Sequence, residues 1–585
     1  MANAGKVRPI ESFLLWVSNK LKKLPSPFQA NLAKSFSKYY FYVLAIAIGT
    51  SVLSYWDVLP GIFQDEYVYS MEARKLTPAE QAYPNYLFSF LFQSTSICGG
   101  GFYQCGKALN TVFLLGTLLV FYLLARPFQT QKVSVLLTAV AALSPISVFA
   151  SFFMPEMLFI FLNLLAVLLL LRASKSGDFR IWLGLGVILG LALLTKRHEL
   201  FLLPGYFLAS IVLVRIKGSS LLRATGTALA FTLVVPVVIR QLTVFLLTGQ
   251  PFAALLGSTY AQSFRETTGS GSVEGRPAIF ELLSQGFWHL LFHTAVVLVL
   301  GLAFIQWSAL RRPKNQESQD SSSTQPKPLV VVTLSLVVAI IPVVTFFESY
   351  LSLVGDDHSL RLLSRYYEFI FLLLLLIASS TVNPDAISRN RRVWLWLTIS
   401  AHLMFVLLIG PFIDTGPSDS PTIHGLMLIG PLLLVLLAVF VWTILPTKKV
   451  KRQRAKALTF ALIIPALTVM SGFSVKADLR ETLGTEYSYF DLAGFYLASE
   501  YPKLEGEDLL VIGRSRTEVV ATKFAFDKPA VKHSLQPGSP KKLSAQRLDG
   551  IGIVLVLFPA ALITDESVEL VQELDGFRIY EVLDR

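Results

Sequence analysis

The sequence predicts an α-helical, polytopic membrane protein of about thirteen transmembrane helices that ends in a small α/β domain. Three observations predict it. Of the 585 residues, 53% are hydrophobic and 15% charged, against about 25% charged in soluble domains, and mean hydropathy is +0.58. Apolar runs of 18 or more residues recur along the chain, each able to cross a hydrocarbon core of ~30 Å as a helix. From about Lys476 the pattern changes to short β-like runs separated by polar, helix-like stretches.

Residues 10–23 read as an amphipathic helix or a plain juxtamembrane linker. Phe13, Leu14, Val17 and Leu21 share one face, with Lys20, Lys22 and Lys23 beside it, which suits the cytoplasmic membrane surface. The first 38 residues lack the apolar core and small-residue cleavage site of a signal peptide. The first span runs from about Tyr39 to Leu59, and an outer loop follows over 60–107. Further spans are expected near 108–125, 133–150, 157–171, 181–195, 200–214, 224–246, 286–305, 329–347, 366–382, 394–412, 424–445 and 457–474. The stretch 313–328, rich in Ser, Gln and Pro, reads as a cytoplasmic linker.

A net charge of +12 invites a nucleic-acid reading, which the placement of the charges excludes. The basic clusters Arg126/Lys132, Arg172/Lys175/Arg180, Arg215/Lys217/Arg223, Arg311/Arg312/Lys314, Arg389/Arg391/Arg392 and Lys448 through Lys456 fall in every second loop. That is the positive-inside pattern, and it sets the N-terminus inside and the C-terminus outside. The expected organisation is a cytoplasmic segment 1–38, a membrane domain 39–475 and an extracytoplasmic α/β domain 476–585. In the last, 508–513, 551–558 and 577–583 read as strands, with helices near 486–501 and 517–526. Val511-Ile-Gly-Arg-Ser-Arg516 has too few glycines for a dinucleotide site, and an accessory role is expected of this domain.

The motif-like polar residues fall at the outer ends of spans. Asp65 and Glu66 open the first outer loop, and Met154-Pro155-Glu156 starts the fourth span. Lys196, Arg197, His198 and Glu199 lie between spans five and six, and Arg240 lies near the outer end of span seven. Asp356, Asp357, His358, Arg361, Arg365 and Tyr366 lie between spans nine and ten. Ionisable groups at membrane depth point to function. Lys196, Arg240, Arg361 and Arg365 sit where topology disfavours cations, so an anion at headgroup level, a phosphate or pyrophosphate, is their expected partner. The acids can take a proton from an acceptor hydroxyl, or two or three of them can hold a hard divalent cation against a phosphate. His198 and His358 read as hydrogen-bonded structural residues, and Trp56, Trp394 and Trp396 as interfacial anchors. Cys98 and Cys105, the only cysteines, share the first outer loop, where an oxidising compartment permits a disulfide; the alternative is two free thiols.

With Asp65-Glu66, Met154-Pro-Glu156, Leu193-Leu-Thr-Lys196, Pro236-Val-Val-Val-Ile-Arg240, Thr248-Gly-Gln-Pro251 and Arg365-Tyr366 in this order, the chain resembles the GT-C-fold integral membrane glycosyltransferases. The branch it resembles includes bacterial aminoarabinose transferases and protein O-mannosyltransferases. The resemblance implies a polyprenyl-phosphate sugar donor, a glycan, lipid or protein acceptor, and inverting single displacement at the extracytoplasmic face of the cell membrane. It implies Asp65 as general base, with Glu66 and Glu156 assisting it or, together with Asp65, holding a divalent cation (Mg or Mn), and Lys196, Arg240 and Arg365 on the donor phosphate, a set to which Arg361 and Tyr366 are added. Two features depart from the pattern: Tyr366-Tyr367-Glu368 replaces a more apolar, Pro-containing run, and Glu156 stands alone where an Asp-x-Asp is usual. Two other classes compete. A secondary transporter or flippase of lipid-linked saccharides would carry ionisable groups near the bilayer midplane, often in internal repeats. An O-antigen polymerase or ligase would rely on basic residues in a large late outer loop.

Overall fold

A computed structural model describes residues 38–60, 64–81, 83, 85–249, 284, 286–290, 293–294, 327–354, 360–361, 363–380, 413–414, 419–428, 466–481, 487–535, 548–557, 563, 567–574 and 576–583. Outside these lie the amphipathic segment 10–23, the span expected at 394–412, most of those at 286–305, 424–445 and 457–474, and nearly all of the 313–328 linker.

Helix α1 (Lys38–Leu53) is followed by α2 (Gln64–Arg74), whose first turn carries Asp65 and Glu66, where the helix dipole favours anions. Next come α3 (Tyr86–Phe92), a 3-10 stretch (Gln93–Gly101) and α4 (Phe102–Ala125). The expected outer loop 60–107 is thus largely helical, and α4 starts before Lys107 rather than after it. Lys107 can lie inside the helix because its Nζ donates to the carbonyls of Tyr55 (3.3 Å), Trp56 (3.0 Å) and Val58, offsetting the cost of burying an ammonium.

The span expected at 133–150 is broken. Helix α5 (Gln131–Leu143) stops at Ser144 and a 3-10 segment (Pro145–Ser151) leaves at 53°. Pro145 lacks an N–H and holds Ser144 extended (ψ 162°), so the helix cannot continue. After Pro155, α6 (Glu156–Ser176) and α7 (Phe179–Thr195) form an antiparallel pair closed by Gly177 (φ 72°) and capped by Asp178. Helix α8 (Glu199–Ile216) follows only three residues after α7. Then α9 (Leu221–Ala228), a π-helical turn (Leu229–Val234) and α10 (Val235–Thr248) run on as one rod. Pro236, with no N–H to give, lies just past that widened turn. Gly190 of α7 admits α10 closely: a Cβ there would sit 3.0 Å from Ile239.

Helix α11 (Lys327–Val354) packs on α8, and α12 (Glu368–Ser380) on α11. Strand β1 (Leu360–Arg361) pairs in parallel with β2 (Ile413–Asp414); α13 (Pro421–Leu428) and α14 (466–481) follow. Among the described residues five helices are long and apolar enough to cross a membrane, or six with the bent pair; three shorter apolar helices accompany them.

The C-terminal part has a five-stranded sheet ordered β4-β3-β5-β7-β6, from β3 (Leu509–Gly513), β4 (Lys532–Leu535), β5 (Ile553–Val556), β6 (Val568–Leu574) and β7 (Phe577–Val582). Strands β4, β3 and β5 are parallel, and β7 is antiparallel to both its neighbours. Helices α15 (Tyr489–Glu500) and α16 (Arg516–Phe526) cover one face. β3 and β5 are apolar throughout because both faces are buried. The expected strands and helices are present. β4 and β6 were not anticipated: Lys-His-Ser-Leu is a polar, exposed edge, and Val-Glu-Leu-Val-Gln-Glu-Leu carries a bulge. α14 runs across the expected domain boundary at 475/476. The end of α16 docks on α2: Arg74 makes a two-point ion pair with Asp527 (2.5 and 3.1 Å), and Tyr67 reaches the Lys528 carbonyl.

Candidate active site

Short connections between antiparallel helices bring α2, the start of α6, the α7–α8 turn and the start of α12 to one end of the bundle. The charged residues of these four places meet there. Arg365 Nη2 donates to Asp65 Oδ2 at 3.0 Å, and Nη1 lies 3.5 Å from Asp419 Oδ1. The Arg365 backbone N–H also bonds the Asp419 carbonyl (2.7 Å), which fixes the arginine's base. More fully buried, Lys196 Nζ donates to Glu156 Oε1 at 2.7 Å. Lys196 also lies over the Tyr366 ring (4.6 Å), and His198 stacks on the ring (4.0 Å). Arg197 lies over Tyr83, whose ring meets Tyr69.

Electrostatics tie these pieces together. The Tyr69 phenol is pushed well above its ordinary pKa by burial and then by the charges of Asp65 and Glu156, with Arg365 and Arg197 opposing. Burial pulls Lys196 down, which Glu156 counters. His198 is held well below its ordinary value by burial and by Lys196, Arg197 and Arg365, so it is neutral at pH 7. Accessibility separates the roles. The Asp65 side chain is 29% exposed, whereas Glu156 and Lys196 are 1% and 3% exposed. Arg365 is 12% exposed, and its Nε is buried with no hydrogen-bond partner among the described residues.

Asp65, Glu156, Lys196, Arg365 and Tyr366 therefore converge. Glu66 does not join them. It is fully buried, turned the other way, and Oε1 accepts from the Phe153 N–H (2.7 Å) and lies 3.1 Å from the Tyr103 hydroxyl. Adjacent residues on a helix diverge by about 100°, so an acid pair in sequence is not an acid pair in space. Arg240 is buried beside Tyr86 and Gln241. The Arg361 side chain, Asp356, Asp357, His358, Trp394, Trp396 and Pro251 lie outside the described residues.

Among the described residues Asp65, Glu66 and Glu156 do not form a group with metal-ligand spacing. Asp65 and Glu156 are neutralised by Arg365 and Lys196, and Glu66 holds a backbone amide. Among the described residues the one group with metal-ligand spacing is His289, His293 and Glu348. Glu199 binds Asn163 Nδ2 (2.9 Å) within the helix packing. Cys98 and Cys105 are joined in a disulfide, and Trp56 is 40% exposed. Asp419, Tyr69 and Tyr83 were missed. Asp419 had a usable signal, an acid in Ser418-Asp419-Ser420 at an expected outer span end; the two tyrosines had none.

Residues 102–240 match the family described as dolichyl-phosphate-mannose-protein mannosyltransferase. This stretch holds Glu156, Lys196 and Arg240. No curated protein sequence matches the chain. Among solved structures, the chain is similar to ArnT from Cupriavidus metallidurans in the apo state, at 16% identity over 93% of this chain and 97% of that one, with a TM-score of 0.48. It is also similar to the oligosaccharyltransferase AglB from Archaeoglobus fulgidus in complex with an inhibitory peptide and a dolichol-phosphate, at 14% identity over 89% and 69%, with a TM-score of 0.39. A structure of the oligosaccharyltransferase from the same organism with Zn and sulfate gives 13% identity over 88% and 67%, with a TM-score of 0.42. The family match covers 139 of the 585 residues, from the start of α4 to Arg240 in α10.

Proposed function

We propose that this enzyme moves a sugar from a polyprenyl-phosphate donor to an acceptor hydroxyl at the extracytoplasmic face of the cell membrane, by inverting single displacement. The observation that carries the reading is the Asp65–Arg365 pair: a partly exposed acid held by an arginine whose buried Nε has no partner among the described residues. A phosphate monoanion or diester offers that guanidinium a better bidentate partner than one carboxylate oxygen. As Arg365 turns to the donor phosphate, the Asp65 carboxylate is released from its ion pair to meet the acceptor hydroxyl.

Asp65 then takes the proton of the acceptor hydroxyl while its oxygen attacks the anomeric carbon. The bond from that carbon to the phosphate oxygen breaks, and polyprenyl phosphate leaves with the electron pair. Arg365 and Lys196, with Tyr366 beneath them, hold the charge that grows on the leaving phosphate. Arg240 and Arg361 complete the proposed set of donor-phosphate residues. In this reading 1–38 is cytoplasmic, 39–475 is the transferase domain and 476–585 is an extracytoplasmic domain that borders the acceptor side.

The test is transfer by the purified protein in nanodiscs, supplied with a panel of polyprenyl-phosphate sugars and acceptors of glycan, lipid and peptide type. The expected result is release of polyprenyl phosphate with formation of a product of inverted anomeric configuration. Retention of configuration, or sugar movement across vesicles without any bond cleavage, would overturn the proposal.

A further inference from the structure

A second cluster of chemistry-bearing residues lies beside the Arg365 loop. His289 and His293 are four residues apart in a helical stretch (286–290 and 293–294), so both rings share one face. Glu348 comes from α11, just past its apolar stretch Lys327–Phe346. Glu348 Oε2 lies 2.5 Å from His293 Nε2 and 3.2 Å from His289 Nδ1. One ligand atom from each of the three lies within 4.8 Å of the others, and all three residues are buried.

Hydrogen bonding alone explains this cluster poorly. One carboxylate oxygen serves two imidazoles, and His289 Nε2 is buried with no partner among the described residues. A divalent cation instead uses both neutral rings and the carboxylate together. The surroundings are those of a supported metal ligand set. His293 Nδ1 is 2.5 Å from the Tyr367 hydroxyl and Nε2 faces the shared centre, so an ion at Nε2 would leave the Nδ1–H to donate to the phenol oxygen. The other Glu348 oxygen accepts the Leu363 N–H.

From this geometry we infer that His289, His293 and Glu348 bind one divalent transition-metal ion, zinc by ligand type. Leu363 and Tyr367 are the two ends of the segment that holds Arg365 and Tyr366. The ion would thus clamp both ends of the loop that presents the arginine. The inference is independent of the sugar-transfer proposal, because metal binding is read without any substrate.

The experiment uses full-length protein in detergent, stripped with a chelator and titrated with Co2+ or Zn2+ alone. The expected result is one ion per chain, a visible Co2+ absorption band that Zn2+ displaces, and X-ray absorption fine structure of the zinc form showing two imidazoles. Glu348→Gln and His289→Ala should lose the band. Tyr367→Phe, which keeps all three ligands, should bind about 10-fold more weakly. No stoichiometric metal in reconstituted wild type would overturn the inference, as would unchanged binding in folded His289→Ala. The X-ray absorption measurement needs only wild type, so a variant that fails to fold leaves the proposal testable.

Discussion

Glu66→Ala separates a positioning role from a catalytic one. Glu66 is fully buried and accepts the Phe153 N–H at 2.7 Å. Alanine leaves that amide without its acceptor in a buried place, which costs roughly 1–3 kcal/mol. The Tyr103 hydroxyl loses less, because the Ser151 carbonyl lies 2.9 Å away as an alternative. The space left by the carboxymethyl group adds about 1 kcal/mol if it does not collapse. The variant should therefore be destabilised by about 2–4 kcal/mol. Glu66→Gln, which keeps one acceptor oxygen, should lose about 1 kcal/mol. Denaturant unfolding in mixed micelles, followed by tryptophan fluorescence, reads the difference. Because Phe153 precedes the turn that leads into Glu156, transfer should drop less than about tenfold in the folded fraction. A Glu66→Ala protein of wild-type stability with transfer abolished would refute the reasoning and return Glu66 to the chemistry.

Further outcomes follow from the same contacts. Breaking the buried Glu156–Lys196 pair from one side, by Glu156→Gln or Lys196→Met, should cost about 3–5 kcal/mol, whereas the double variant should lose much less; a double-mutant cycle showing simple additivity would contradict it. His198 is held neutral, with its pKa in the folded chain below the unfolded value of about 6.5. The stability it contributes is present above that pH and lost as pH falls, by at most about 1.4 kcal/mol per unit. Unfolding measured between pH 7 and 5 should accordingly be less pH-sensitive in His198→Gln than in wild type. Asp527→Ala removes the partner of a nearly buried Arg74, and limited proteolysis should then release the C-terminal domain much faster than from wild type.

Much of the fold was legible because its signals are strong ones: long apolar runs for α4, α6, α8 and α11, and short continuous apolar runs for β3 and β5. Elements failed to read where a local cause overrode the pattern. Pro145 broke an apolar run of span length, and three carbonyls let Lys107 sit inside a helix. For the site, the expectation that ionisable residues at span ends gather at one face led to Asp65, Glu156, Lys196, Arg365 and Tyr366. It could not tell which way each side chain turns. Asp65 and Glu66 are neighbours in the chain, yet one faces Arg365 and the other a backbone amide. His289 and His293 carried a visible four-residue spacing, but their third member, Glu348, is 55 positions away from His293, a separation that only the packed helices close.

Asp65→Asn tests the central claim most directly. The substitution keeps the shape of the side chain and removes both its basicity and its charge. Measured by single-turnover transfer alongside equilibrium donor binding, the variant should transfer at least about 100-fold more slowly, as expected for loss of a general base. Donor affinity should be unchanged or tighter, because Arg365 no longer shares itself with a carboxylate. A variant that transfers at the wild-type rate, or one whose deficit lies wholly in donor binding, would contradict the account.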